Sequence, residues 1–205
     1  MEKLKHEIPS LSRKEDAISY INEFYEYGSK INGSGKLDDY LDDYEGWLKH
    51  LKWQSNVKPD EEHVPALTYF LVRESDNKIV GMLNIRLTLN NKLKNSGGHI
   101  GYGIRPTERR KGYNKIQLYL VLLEAQKLNL DKVMLDCSVD NLGSDKTIKA
   151  LGGILERCEL DESDNTMTNV YWINVDESLE KYKDEYVNSI DKSYKNSTYE
   201  MIKRK

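Results

Sequence analysis

The sequence predicts an α/β fold, a mixed α+β arrangement on one central twisted sheet, and three observations carry that prediction. Two segments of helical period open the chain. From Leu67 the period changes to that of strands. Beyond Pro106 helices and strands alternate, which gives the order ααβββαβαββ with no internal repeat.

Taken in order, Ser12-Arg13-Lys14-Glu15 has the form of a capping box, in which hydroxyl and carboxylate satisfy each other's backbone N–H groups. Ala17, Ile18, Ile21 and Tyr25 follow at helical spacing, so the first helix is expected to run to about Tyr27. "GSKINGSGK" reads as a flexible connection. In the second helix Leu37, Leu41, Tyr44, Trp47, Leu48 and Leu51 form one apolar stripe, and Pro59 sets its limit. "LTYFLVRE" and "KIVGMLNIRLTL" are β-rich runs joined by the hairpin signal "SDNK". "NNKLKNSGG" is a loop and "HIGYGIRP" a third strand. A long helix follows, with Ile116, Leu120, Leu123 and Leu128 at helical spacing. "KVMLDCSV" is a strand, "NLGSDKTIKALGG" a short helix with a glycine stop, and "GILERCEL" and "MTNVYWINV" are the last strands. One domain is expected over residues 1–175, with helices within 12–54 and a core over 67–175. The charged, tyrosine-rich segment 176–205 is expected to be a solvated tail or helix, or a docking helix for a second subunit in a homodimer.

Composition narrows the function. The 205 residues are 32% charged with a net charge of −3, a balance that argues against a general nucleic-acid binder. No run approaches the ~20 apolar residues that span a bilayer, so no membrane partner is expected. The opening "MEKLKHEIPS" lacks the apolar core of a signal peptide. Cys137 and Cys158 are too few for a disulfide framework, and a reduced, cytoplasmic location is expected. Neither they nor the four histidines show metal-ligand spacing, so no metal is expected.

The chemically pointed stretch is "YGIRPTERRKGYNK", from Tyr102 to Lys115. A helix start carries unpaired N–H groups and partial positive charge. Gly112 there lets the backbone approach a bulky anion, and Arg109, Arg110 and Lys111 add cations, a combination suited to phosphate or pyrophosphate. Neither a nucleotide P-loop nor a dinucleotide fingerprint is present: no G-x-x-x-x-G-K-[ST] occurs, and "GYG" at Gly101–Gly103 lies inside a strand.

"IRPTERRKGYNK" resembles the acyl-CoA pyrophosphate loop of the GNAT superfamily of N-acetyltransferases. The family's Gln/Arg-x-x-Gly-x-Gly/Ala pattern is matched by Arg109 and Gly112, with Asn114 in the last place. The preceding strand, the following helix, "VMLDCSV" and "DNLGSDKTIKALGG" come in the order this family requires, over about Leu67 to Val175. The resemblance implies a GNAT-like acyltransferase fold and acetyl-CoA as cosubstrate. It implies that backbone amides from Arg110 through Tyr113 to Lys115 hold the pyrophosphate, and that Tyr102, Gly103 and Ile104 present strand backbone to the pantetheine. Asn141 matches the family asparagine that contacts the pantetheine arm, with Ser144 in the same turn. Asn141 is equally well used as a helix N-cap.

The family's thiolate acid, a tyrosine seven residues after that asparagine, is here Ile148, which donates no proton. Tyr171 is the candidate replacement. Asp136, five residues before Asn141, stands where some relatives carry a catalytic glutamate, and His99 is the second candidate base because its ordinary pKa is near neutrality. The expected reaction is acetyl transfer to an amine of a small molecule or peptide; the rival reading is a non-catalytic acyl-CoA-binding module. The acidic group Asp38, Asp39, Asp42 and Asp43 reads as a solvated helix face or as a lure for a cationic amine.

Overall fold

The computed structural model describes residues 2–162 and 164–190. Four antiparallel strands form one sheet in the order β1 (Leu4–Glu7), β2 (Ala66–Arg73), β3 (Ile79–Arg86) and β4 (Ile100–Ile104). A second, three-stranded sheet has the order β5 (Lys132–Ser138), β7 (Thr166–Asn174), β6 (Ile154–Asp161). The helices are α1 (Lys14–Glu26), α2 (Tyr44–Gln54), the short α3 (Asn91–Asn95), α4 (Tyr113–Lys127), α5 (Leu142–Ala150) and α6 (Val175–Tyr186).

β2 and β3 are buried along seven of their eight residues, as expected of strands covered on both faces. On one face α1 and α2 set Tyr20, Ile21, Phe24 and Trp47 against Phe70, Val72, Ile79 and Met82. On the other, α4 sets Leu118, Val121, Leu122 and Ala125 against Leu71, Val80, Leu83 and Ile85. Burying a side chain such as Phe24 or Phe70 contributes about 1.5–3 kcal/mol, so both layers hold the sheet firmly.

Several expectations are corrected here. The single sheet is two sheets. β4 and β5 meet only at their beginnings, where His99 N–H donates to Met134 O at 2.7 Å and the Met134 N–H donates to His99 Nδ1 at 2.9 Å. Gly98 permits that approach: with φ +54°, a Cβ there would sit 2.5 Å from Met134 O. Beyond this point no ladder joins the two strands, and a gap opens between them. The strand β1 was not expected; it pairs with β2, Leu4 opposite Arg73. The Ser12 capping box is not formed: Ser12 lies in a 3-10 turn and its hydroxyl is 2.9 Å from that of Ser10, while α1 starts at Lys14. The predicted second helix is divided, because Asp43 accepts from Gly46 N–H at 2.9 Å and starts α2 there, leaving Leu37–Tyr40 as a separate 3-10 turn.

α4 is buried almost all round rather than along one stripe, because α6 covers its outer side. In α6 Val175, Leu179 and Tyr186 are buried, and Ser178 Oγ donates to Leu151 O at 2.8 Å. The charged segment therefore packs on the core in its first half. Residues 191–205, on which the tail expectation also bore, lie outside the described residues.

Candidate active site

The loop between β4 and α4 is held from below by two ionic clusters. Arg105, buried at the end of β4, donates from Nη2 to Asp16 Oδ1 at 2.7 Å and from Nε to Ile79 O at 2.9 Å, fastening α1 to the sheet. Glu108 is buried and accepts from Arg73 Nη1 at 2.6 Å and Lys111 Nζ at 2.8 Å, with Lys78 Nζ at 3.4 Å. Burial pushes the Glu108 carboxyl up, but the bonds and charges of Arg73 and Lys111 outweigh it and hold the pKa at about 2.

The three expected cations are therefore not equivalent. Lys111 is tied to Glu108. Arg109 turns toward α1, donating to Ile104 O at 3.2 Å and Ser29 Oγ at 3.1 Å, with its guanidinium 5.3 Å from the Phe24 ring centre. Arg110 is exposed and pairs with no carboxylate among the described residues. Tyr113 is buried, its hydroxyl 3.3 Å from Arg73 Nη1.

Two left-handed residues, Arg110 at φ +63° and Gly112 at φ +82°, curl this loop into the start of α4. No protein acceptor among the described residues takes the backbone N–H groups of Arg110, Lys111, Gly112, Tyr113 or Asn114. The Lys115 N–H, expected in the same set, instead donates to Gly112 O at 3.2 Å. A Cβ on Gly112 would meet nothing within 4 Å, so the space above these amides is open. Free amides curled at a helix N-terminus form an anion site.

β4 borders the gap with alternating backbone. Arg105 N–H donates to Val80 O, so by antiparallel alternation Gly101 and Gly103 also bond to β3, and the peptide groups of Ile100, Tyr102 and Ile104 face the gap. Gly103 is corrected in this respect. It is a packing glycine, whose Cβ would sit 3.0 Å from Asn32 O and 3.1 Å from Tyr20 Oη. Across the gap Tyr102 Oη lies 2.7 Å from Ser144 Oγ, and Asn114 Nδ2 donates to Thr147 Oγ1 at 3.3 Å. Asn141 takes the capping role, its Oδ1 accepting from Ser144 N–H at 3.1 Å.

The candidate acid–base residues differ in availability. Tyr171 is fully buried and its hydroxyl donates to Asp145; burial and that carboxylate raise its pKa above the ordinary value, so its proton is engaged. Ile148 is fully buried beside Gly153. His99 packs edge-on to Trp172, and its Nδ1 is occupied as an acceptor, which puts the proton of the neutral ring on Nε2. Burial, with the Arg86 charge, lowers its pKa to about 4. No nitrogen lone pair is left to take a proton. Asp136 Oδ2 accepts from Gly97 N–H at 2.5 Å, and burial raises its pKa, opposed in part by that N–H and by Arg86. Of the candidates, Asp136 keeps capacity to accept a proton, because its carboxylate takes only backbone N–H donors, from Gly97 and from Asp136 itself, among the described residues.

On this side of the sheet the 28–36 loop lies directly on β3 and β4; a Cβ on Gly33 would be 2.6 Å from Gly101 O. Lys30 Nζ reaches Asp164 Oδ2 at 2.9 Å and ties this loop to the β6–β7 turn. In the acidic group, Asp38 accepts from Ser34 Oγ at 2.7 Å and Asp43 caps α2, so two of its four members have local duties. Among the described residues no His/Cys/Asp/Glu group is arranged to hold a metal ion, and no helix is long and apolar enough to cross a membrane. Arg73, Arg86, Arg105 and Glu108 were missed from sequence; contacts far along the chain, such as Arg73 with Glu108 and Arg105 with Asp16, give them away.

A family model described as "Acetyltransferase (GNAT) family" matches residues 35–152. No curated protein matches the sequence significantly. Three similar solved structures illustrate the fold. The microcin C7 self-immunity acetyltransferase MccE, in complex with acetyl-CoA and AMP, is 17% identical, with 84% of this chain and 92% of that chain covered and a TM-score of 0.60. RimL, a ribosomal L7/L12 alpha-N-protein acetyltransferase in complex with CoA, is 16% identical over 85% and 95%, at 0.62. The spermidine/spermine N-acetyltransferase SpeG from Vibrio cholerae is 12% identical over 87% and 96%, at 0.58.

Proposed function

The chain belongs to the GNAT family of acetyltransferases, and on that premise we propose that it transfers an acetyl group from acetyl-CoA to a primary amine of a small molecule or peptide. The observation that carries the reading is the row of free amides from Arg110 to Asn114 at the mouth of the gap between β4 and β5. The amides take the pyrophosphate, and the outward peptide groups of Tyr102 and Ile104 take the pantetheine arm, which brings the thioester between the two sheets.

The protonated amine loses one proton before attack, and in this reading the Asp136 carboxylate receives it. The nitrogen then bonds to the acetyl carbon, the C–S bond breaks, and a second proton leaves the nitrogen while CoA departs as the thiol. The burial that raises the Asp136 pKa makes it the stronger base. The two cysteines are both free, which fits a reducing, cytoplasmic setting.

Thiol release from acetyl-CoA, followed with a panel of primary amines, tests the reading. Ile148 favours one rival, a module that binds acyl-CoA without turning it over. Tight CoA binding with no thiol release from any amine would establish that rival.

A further inference from the structure

Arg86 ends β3 with its guanidinium on the side of the sheet where the 28–36 loop lies. Nη1 donates to Gly97 O at 2.7 Å and to Gly98 O at 3.2 Å. Nε and Nη2 have no protein acceptor, and Arg86 forms no ion pair among the described residues. The side chain is largely withdrawn from water, which lowers its pKa, and Asp136 is near enough to oppose that shift. A guanidinium withdrawn from water without a carboxylate at contact distance is a cost to the fold, and such groups concentrate at functional sites.

Its surroundings leave room for a partner. Gly101, directly beneath, presents bare backbone; a Cβ there would lie 3.5 Å from Nη2. Asp136 stands on the other side of the β4–β5 gap. Arg86 and Asp136 meet through one residue: Gly97 gives its N–H to Asp136 at 2.5 Å and its carbonyl to Arg86 at 2.7 Å. The two side chains thus bracket one amino-acid unit in a fixed direction, with the nitrogen end at the acid and the carboxyl end at the guanidinium. Each retains further capacity: the Asp136 carboxylate accepts only from backbone N–H groups among the described residues, and Arg86 uses only Nη1.

We infer that the acceptor is a free α-amino acid, whose ammonium goes to Asp136 and whose carboxylate goes to the unused edge of Arg86. The inference rests on the acetyl-transfer reading above. It separates this chain from enzymes whose acceptor is a polyamine or a protein N-terminus, neither of which carries a carboxylate beside the reacting amine.

The test compares free α-amino acids with their α-amides, spermidine and an unblocked peptide as acceptors, for the parent protein and for Arg86→Gln. A charge-assisted pair of this kind corresponds to a preference of about 10- to 100-fold. The parent is expected to favour an amino acid over its amide by that factor in kcat/KM, mainly through KM. Arg86→Gln is expected to lose the preference, the acid's kcat/KM falling about 10- to 100-fold further than the amide's. An amide, polyamine or peptide used as well as the free acid by the parent overturns the inference and leaves acetyl transfer standing. Arg86→Gln lowering acid and amide alike also overturns it, since a purely structural arginine behaves so. If Arg86→Gln does not fold, the parent's acid-to-amide ratio decides alone. Thiol release with none of the amines, alongside intact CoA binding, removes the acetyl-transfer reading itself and this inference with it.

Discussion

The Tyr102 hydroxyl on β4 lies 2.7 Å from the Ser144 hydroxyl in the first turn of α5, across the gap that separates the two sheets. Burial raises the Tyr102 pKa above the ordinary tyrosine value, so the phenol stays protonated at any working pH. Tyr102→Phe and Ser144→Ala each leave one hydroxyl without its partner. Each is expected to cost about 1 kcal/mol of stability. The double variant should cost less than the sum, with a coupling of at least about 0.5 kcal/mol in urea unfolding. Strict additivity would show that the two hydroxyls do not act as a pair.

Gly112 separates backbone strain from ligand access. Its φ of +82° disfavours any side chain, yet a Cβ there touches no protein atom within 4 Å. Gly112→Ala and Gly112→Val should therefore both lose about 1–2 kcal/mol of stability from the left-handed backbone. Because the open space is where the pyrophosphate would lie, Gly112→Val should also weaken CoA binding by about 2 kcal/mol or more, roughly 30-fold. Arg110→Ala should cost less, because an exposed charge is screened and the amides remain. Calorimetry showing Gly112→Val to bind CoA as tightly as the parent would remove the anion role from this loop.

The contrast between these two sites shows what a sequence exposes. The loop was legible because its signals are local: strand, proline, cations and a glycine at a helix start fall within fourteen residues, Tyr102 to Lys115. The gap was not, because it depends on Gly98 bringing β4 onto Met134 and on a histidine side chain taking the place of a backbone acceptor. β1 alternates buried Leu4 and His6 with half-buried neighbours, but four residues are too few to stand out, and its partner β2 lies far along the chain. The helix α4 was legible from the spacing of its apolar residues, but its burial on nearly every side was not. A helix enclosed between the sheet and α6 has no solvent face to set a period. The duties of the cations were equally hidden, since Lys111 and Arg109 each had a local anion or acceptor, Glu108 or Ile104 O, that spacing does not reveal.

His99 makes stability depend on pH. Its pKa falls from 6.5 to about 4 on folding, because burial and the Arg86 charge disfavour the protonated ring. The folded state thus binds fewer protons than the unfolded chain. The contribution is fully present above pH 6.5, declines as the pH falls from 6.5 to about 4, and is spent below that. It amounts to up to about 3 kcal/mol. His6, lowered to about 3 by burial and Lys127, extends the same acid limb. His99→Asn keeps an oxygen where Nδ1 accepts from Met134 and does not titrate. Its unfolding free energy should be lower at pH 7 and flatter between pH 6.5 and 4. A variant as steep as the parent over that range would take the acid limb away from His99.

Asp136 is the sharper test of chemistry. Asp136→Asn preserves an oxygen to accept the Gly97 N–H, so the turn before β4 should hold. It removes the charge that would take the amine proton. The expected outcome is a kcat reduced by about 100-fold or more with CoA affinity nearly constant, as for loss of a general base. The pH profile supplies a second readout. Burial raises the Asp136 pKa above its ordinary 3.8, so the base form is lost as pH falls through the raised value, and the parent's activity should decline along an acid limb lying above pH 3.8. The residual activity of Asp136→Asn should lack that limb. A kcat unchanged from the parent, or an acid limb retained in the variant, would pass the proton to water, since His99 has no lone pair to receive it.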